Sequence, residues 1–265
     1  MLYNTGTMLL FATVLLGFIA IPTTGYAWGP LTHMYLGNEV LSLPYLLPPA
    51  IYVIIKKFKE DFLYGNIIAD VVLGKKYLPQ NGSSHSWEFG FAILDNAHNN
   101  QQKAFSYGYL CHLAADTVCH EILTKEKKNI EHTMYEIKAD SLINKKYWLQ
   151  AVAIKRSVQK RNDEFLENSI CNTFFSYKAN KRIFKSLVFM SLFTSMSFVN
   201  LFEKSFFVSC SPPTAAIKDL TDTSLKRIVD IIANGRDSSV TNYRPAGEIV
   251  HGSIYKKFFQ NDSHH

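Results

Sequence analysis

Between Tyr107 and Glu121 the chain reads YGYLCHLAADTVCHE, which places His112, Asp116 and His120 at successive intervals of four. On an α-helix residues four apart are surface neighbours, with Cβ atoms roughly 5–6 Å apart. Two imidazoles and a carboxylate would then project from nearly one side, and that is a metal-binding face. Leu113, Ala114, Ala115 and Val118 between them are apolar, so the helix is expected to be buried. A buried Asp flanked by His needs a partner, because an isolated buried charge is very costly. Divalent zinc fits those ligand types; the alternative is a core helix with hydrogen-bonded histidines.

Other residues carry the same chemistry. His132 and Glu136 in IEHTMYEIKA are again four apart, either chelating one ion or forming a plain hydrogen-bonded pair on a surface helix. Asp70 sits in the apolar run YGNIIADVVLG, where an unpaired carboxylate would be expensive. His33 and His85 complete a set that holds five of the nine histidines; His98, His251, His264 and His265 lie in polar surroundings. Imidazoles and carboxylates with no CxxC pair favour catalytic zinc over a zinc finger.

These residues need helices to position them. The apolar spacing predicts helices over residues 34–43, 50–63, 91–106, the central stretch 107–121, 130–139, 142–168, 186–202 and 218–233, with prolines at 44, 48 and 49 ending the first. No strand pattern competes, and the expected architecture is all-α, a single multi-helix domain over residues 28–235 with an irregular tail at 236–265. The uncharged, Phe-rich segment 186–202 reads as a core helix more readily than as a membrane span.

At 265 residues and 47% apolar composition the chain can bury one sizeable core. A formal charge of +6 predicts attraction to anions such as phosphodiesters, anionic membranes or nucleic acid, and 19 Phe suit contact with lipid. Residues 1–27 lack charge and contain an apolar run from Met8 to Pro22, then Gly25 and Ala27, as in a secretory signal cleaved after Ala27. An uncleaved N-terminal anchor is the alternative. Cys111 and Cys119, eight apart on one helix, lie about 12 Å apart and cannot pair. Each would bridge to Cys171 or Cys210, or all four are buried thiols.

In order along the chain, WGPLTH from Trp28, GNIIAD, HSW, YLCHLAADTVCH and HTMYEI together resemble the zinc-dependent phospholipase C family, related to the single-strand-specific zinc nucleases. The resemblance covers Trp28 to about Asp140. It implies an all-α fold around three zinc ions. Trp28, through a freed α-amine, and His33 would bind one ion, which Asp116 bridges to a second completed by Asp70, His85 and His112. His120, His132 and Glu136 would hold the third.

The reaction implied is phosphodiester hydrolysis, with Asp70 orienting or deprotonating the attacking water. The expected substrate is phospholipid at a membrane surface, and no protein partner is expected. The five-residue step from Trp28 to His33 and the basic charge keep a single-stranded nucleic acid substrate as the alternative. Glu136, where the nucleases have Asp, points the other way. A non-catalytic membrane-surface module is a further alternative, disfavoured by the complete ligand set.

Overall fold

The computed structural model describes residues 28–69, 84–123, 136, 138–169 and 214–245, with side chains of the long central helix described through Cys119. The described elements are helices: α1 Pro30–Leu41, α2 Pro49–Lys57, α3 Lys59–Ile68, α4 Trp87–Asp95, α5 Asn100–Leu123, α6 Lys146–Ala153, α7 Arg156–Ser169 and α8 Thr214–Asn234, with short 3-10 turns at Pro44–Leu46, Gly235–Asp237 and Ser239–Asn242. No strand occurs among the described residues, and the all-α expectation holds. No described helix is long and apolar enough to cross a membrane. The apolar leader 1–27 and the segment 186–202 lie outside the described residues.

Helix α5 is the axis of the fold, with α3, α8, α4, α2 and α7 packed around it. Phe105, Tyr109, Leu110, Leu113, Ala114 and Val118 are all buried, so apolar side chains leave it on every side. A helix buried on every side belongs in a core, and α5 occupies it, with His112 and Asp116 as a polar patch among its apolar side chains. The flanking helices instead carry one stripe each. On α8 the stripe is Ile217, Leu220, Thr221, Ser224, Ile228, Ile231 and Ile232, at the three- and four-residue spacing of one face.

Helices α3 and α5 cross through glycine. A Cβ added at Gly65 would lie 2.1 Å from the Phe105 carbonyl oxygen, and one at Gly108 2.0 Å from that of Phe62. Backbones therefore touch where side chains usually intervene, which brings the chain at Asn66 within reach of the polar face of α5. At the other end of α3, Asp61 is buried and paired: Arg161 Nε and Nη2 donate to its oxygens at 2.9 and 2.6 Å, and Asn162 Nδ2 at 2.7 Å. This carboxylate ties α3 to α7 and is fully engaged there.

Several helix boundaries differ from expectation. The first helix starts at Pro30, a residue whose fixed φ suits a first turn, so His33 lies inside the helix instead of before it. The expected helix 50–63 is broken at Phe58 (φ −112°, ψ 48°) into α2 and α3. Residues 91–106 are not one helix either. Gln102 N–H donates to the Asn99 side chain at 2.9 Å and the Gln102 side chain accepts from His98 N–H at 2.8 Å, a reciprocal cap that starts α5 at Asn100. The expected helix 142–168 divides at Ile154 (ψ 122°) into α6 and α7. Cys111 and Cys119 are free, buried thiols, while Cys171 and Cys210 lie outside the described residues.

Candidate metal centre

Four of the expected ligands meet at the buried polar face of α5. Asp116, on the helix, directs Oδ1 to His33 Nε2 at 3.1 Å and Oδ2 to His112 Nε2 at 3.0 Å, with His85 Nε2 at 3.6 Å from the same Oδ2. His33 comes from α1, His85 from the turn before α4, and His112 from one turn upstream on α5. Asp116, His33 and His112 have no solvent exposure and His85 almost none. Each carboxylate oxygen thus has its own nearest imidazole, His33 at Oδ1 and His112 at Oδ2.

The imidazoles are held from behind. His112 Nδ1 lies 3.0 Å from the Asn66 carbonyl oxygen. A carbonyl only accepts, so the ring proton belongs on Nδ1 and the Nε2 lone pair faces inward. Asn66 Nδ2 also donates to the His33 carbonyl at 2.5 Å, binding α3 to both histidine helices. His85 Nδ1 lies 3.3 Å from Ser84 Oγ, and Tyr109 O–H donates to the Ser84 carbonyl at 2.6 Å. His33 and His112 stack with centroids 3.9 Å apart, which aligns their inward edges.

These inward atoms fit a divalent cation. Nδ1 and Nε2 of His33 and both oxygens of Asp116 are buried with no hydrogen-bond partner among the described residues, although His33 Nε2 and Asp116 Oδ1 approach to 3.1 Å. His112 Nε2 and His85 Nε2, two imidazole nitrogens, face each other at 3.2 Å. Donor atoms around tetrahedral zinc at about 2.0–2.1 Å stand roughly 3.3 Å from one another. The separations here, 3.0 to 3.6 Å, bracket that value. Burial alone would raise the Asp116 carboxyl, but His112 and His33 outweigh it and hold the group well below the usual carboxylate range. It is therefore an anion at neutral pH. His33, His112 and Asp116 form the group whose donor atoms are close enough to share one ion.

A family model described as zinc dependent phospholipase C matches residues 32–184, more than half of the chain. The chain belongs to the zinc-dependent phospholipase C family. Membership carries zinc as the metal and a hydrolase of the phospholipase C type as the activity. No match was found among the curated proteins or the solved structures. The family match runs further than the Asp140 at which the motif resemblance ends, and it begins at Thr32, after Trp28.

The remaining expected ligands are placed as follows. Trp28 is buried, at the entry to α1. His120 lies on α5 one turn beyond Asp116, but its side chain, together with Asp70 and His132, is outside the described residues. Glu136 is helical and half-buried. Burial first, then the charges of Asp116 and Glu136, push the Cys119 thiol well up.

Two residues that support this family's site escaped the sequence reading. Asp140, buried, accepts hydrogen bonds from Leu31 N–H at 3.2 Å, Thr32 N–H at 2.9 Å and the Thr32 hydroxyl at 2.8 Å. It caps α1 from 108 residues away, one residue before His33. Burial raises its carboxyl despite those donors and the nearby His33. Ser224, on α8 and beyond the family match, accepts from Trp28 Nε1 at 2.9 Å and holds the indole in the core. No local pattern announces either, since each acts on a partner more than a hundred residues distant. Asp140→Ala is expected to cost about 1–3 kcal/mol, by leaving buried N–H groups of α1 unmet; urea unfolding checks it.

Proposed function

We propose that this protein is a zinc-dependent phospholipase C that splits a phospholipid into diacylglycerol and a phosphorylated head group. The observation that carries the reading is the division of the two buried Asp116 oxygens between His33 on one side and His112 with His85 on the other. That arrangement suits a carboxylate bridging two zinc ions, with Trp28 and His33 serving one and Asp70, His85 and His112 the other. His120, His132 and Glu136 would hold a third. Bound zinc would neutralise the phosphodiester oxygens and lower the pKa of a coordinated water.

The chain's own residues supply orientation and dryness. Asn66 and Ser84 set the imidazole edges, and the Tyr109 hydroxyl holds Ser84 in turn. Complete burial of Asp116 keeps bulk water from the carboxylate, where electrostatic contacts are strongest. Asp70 is proposed to orient or deprotonate the water that attacks phosphorus. The bond to the glycerol oxygen then breaks, and that oxygen takes up a proton.

Export follows from the same reading. Cleavage after Ala27 would bare the Trp28 α-amine as a ligand, an amine that an upstream peptide bond would spoil. The burial of Trp28 and its bond to Ser224 support a first residue built into the fold. Sequencing the N-terminus of exported protein tests this, and a start upstream of Trp28 overturns it. A second reading, hydrolysis of single-stranded nucleic acid, rests on the +6 charge and the short Trp28 to His33 step.

Short-chain phosphatidylcholine and single-stranded DNA, offered in parallel with and without a chelator, separate the readings. The expected result is chelator-sensitive cleavage of the lipid and at least tenfold slower turnover of DNA. Cleavage of DNA alone overturns the phospholipase assignment, and activity indifferent to chelator overturns the metal site.

A further inference from the structure

Helix α2 buries only part of its apolar surface. Of its Ile51, Tyr52, Val53, Ile54 and Ile55, Ile55 is buried and Ile51, Tyr52 and Ile54 are half-buried against the core, while Val53 faces out. Val53 is 61% exposed, and in the turn just before the helix Tyr45 and Leu46 are 98% and 56% exposed. Single exposed apolar side chains are common on protein surfaces, whereas a cluster marks a surface that meets something.

Within residues 42–59 the charge has one sign. Lys56, Lys57 and Lys59 are exposed, and no Asp or Glu occurs from Ser42 through Lys59. The nearest carboxylates downstream are engaged elsewhere, Glu60 with Lys155 and Asp61 with Arg161. Lys56 Nζ lies 5.3 Å from the Tyr52 ring centroid and Lys57 Nζ 5.6 Å from that of Phe58. Their aliphatic stems thus lie along apolar surface with the ammonium groups at its rim.

We propose that residues 44–59 dock the protein on an anionic phospholipid bilayer. Tyr45, Leu46 and Val53 enter the boundary between head groups and acyl chains, and Lys56, Lys57 and Lys59 lie against lipid phosphates. Charge complementarity selects this occupant. A second copy in a two-fold contact would set lysines against lysines, and nucleic acid offers the exposed Leu46 and Val53 no apolar counterpart. The inference deepens the phospholipase reading by naming how the enzyme reaches its substrate, and it rests on that reading for the physiological role of the surface.

The processed protein beginning at Trp28, kept metal-free with chelator, is sedimented with vesicles of phosphatidylcholine alone and of phosphatidylcholine mixed with phosphatidylglycerol. Tighter binding to the anionic vesicles is expected. Lys56→Gln/Lys57→Gln/Lys59→Gln should weaken that binding on the order of 100-fold, at about fivefold per lysine. Tyr45→Ser/Leu46→Ser should weaken binding to both vesicle types about tenfold. Neither variant should change hydrolysis of monomeric short-chain phosphatidylcholine by zinc-loaded protein. Vesicle binding unaffected by both variants overturns the docking surface, as does a dimer in sedimentation equilibrium that Tyr45→Ser dissociates. Absence of lipid hydrolysis by the parent chain would instead count against the phospholipase reading, because vesicle binding is read without zinc.

Discussion

Asp116→Asn is expected to cost the metal centre at least one ion and lower hydrolysis on the order of 10³-fold, the loss of several kcal/mol of transition-state stabilisation. Asn keeps the shape of the side chain, so the packing of α5 against α3 and α8 has no reason to change and far-UV circular dichroism should match the parent. What changes is chemistry. One carboxylate oxygen becomes an NH₂ group, which cannot ligate a cation, and the charge that stands between the His33 edge and the His85–His112 edge disappears. Whichever way the amide is turned, one of the two sets of imidazoles loses its oxygen. Elemental analysis should therefore show at least one zinc fewer per chain. A variant with full zinc content would remove Asp116 from the proposed bridging role, and one with full activity would remove it from the site.

Gly108→Ala is expected to cost about 3 kcal/mol or more of stability, at the upper end of overpacking penalties, because the new Cβ meets a backbone atom and not a movable side chain. At 2.0 Å from the Phe62 carbonyl oxygen, the methyl can be accommodated only if α3 retreats from α5 by on the order of an ångström. That movement acts on the metal centre as well. The bond between His112 Nδ1 and the Asn66 carbonyl, 3.0 Å in the structure, would pass out of hydrogen-bond range. Loss of such a partner behind a ligand lowers metal affinity about 10- to 100-fold. Urea unfolding and a competitive zinc titration read the two effects separately. Gly235→Ala is the control. Gly235 sits at φ +56° with nothing within 4 Å of a Cβ, so its replacement should cost about 1 kcal/mol and leave zinc binding alone.

Much of the centre is legible before any fold is known, and its legible part is local. His112 and Asp116 share a helix, and a spacing of four residues places them together without help from elsewhere. The apolar residues among them announce that the helix is buried. The all-α class follows from the same periodicity, and the order of short motifs from Trp28 to Glu136 carries the family, which the match over residues 32–184 establishes. Boundaries were less legible. The Asn99–Gln102 cap and the backbone turn at Phe58 redirect the chain within segments whose apolar spacing runs on unbroken.

The amino-acid sequence by itself determined which residues are costly to bury and therefore demand a partner: His33, Asp70, His85, His112, Asp116, His120, His132 and Glu136, of which His33, His85, His112 and Asp116 meet among the described residues. Only the tertiary structure decided how they are shared. Asp116 Oδ1 faces a histidine 83 positions upstream in the chain because α1 and α5 meet, and Oδ2 faces His85 because the turn before α4 closes over the same face. The glycine crossing of α3 on α5 aims His112, Asp140 caps the helix of His33 from the far side of the sequence, and Ser224 holds Trp28 from a helix outside the family match. The physical reason is common to all of them. A helix repeats its own geometry every few residues, so local spacing predicts local neighbours, whereas contacts across a hundred residues exist only once the core has closed and set the helices against one another.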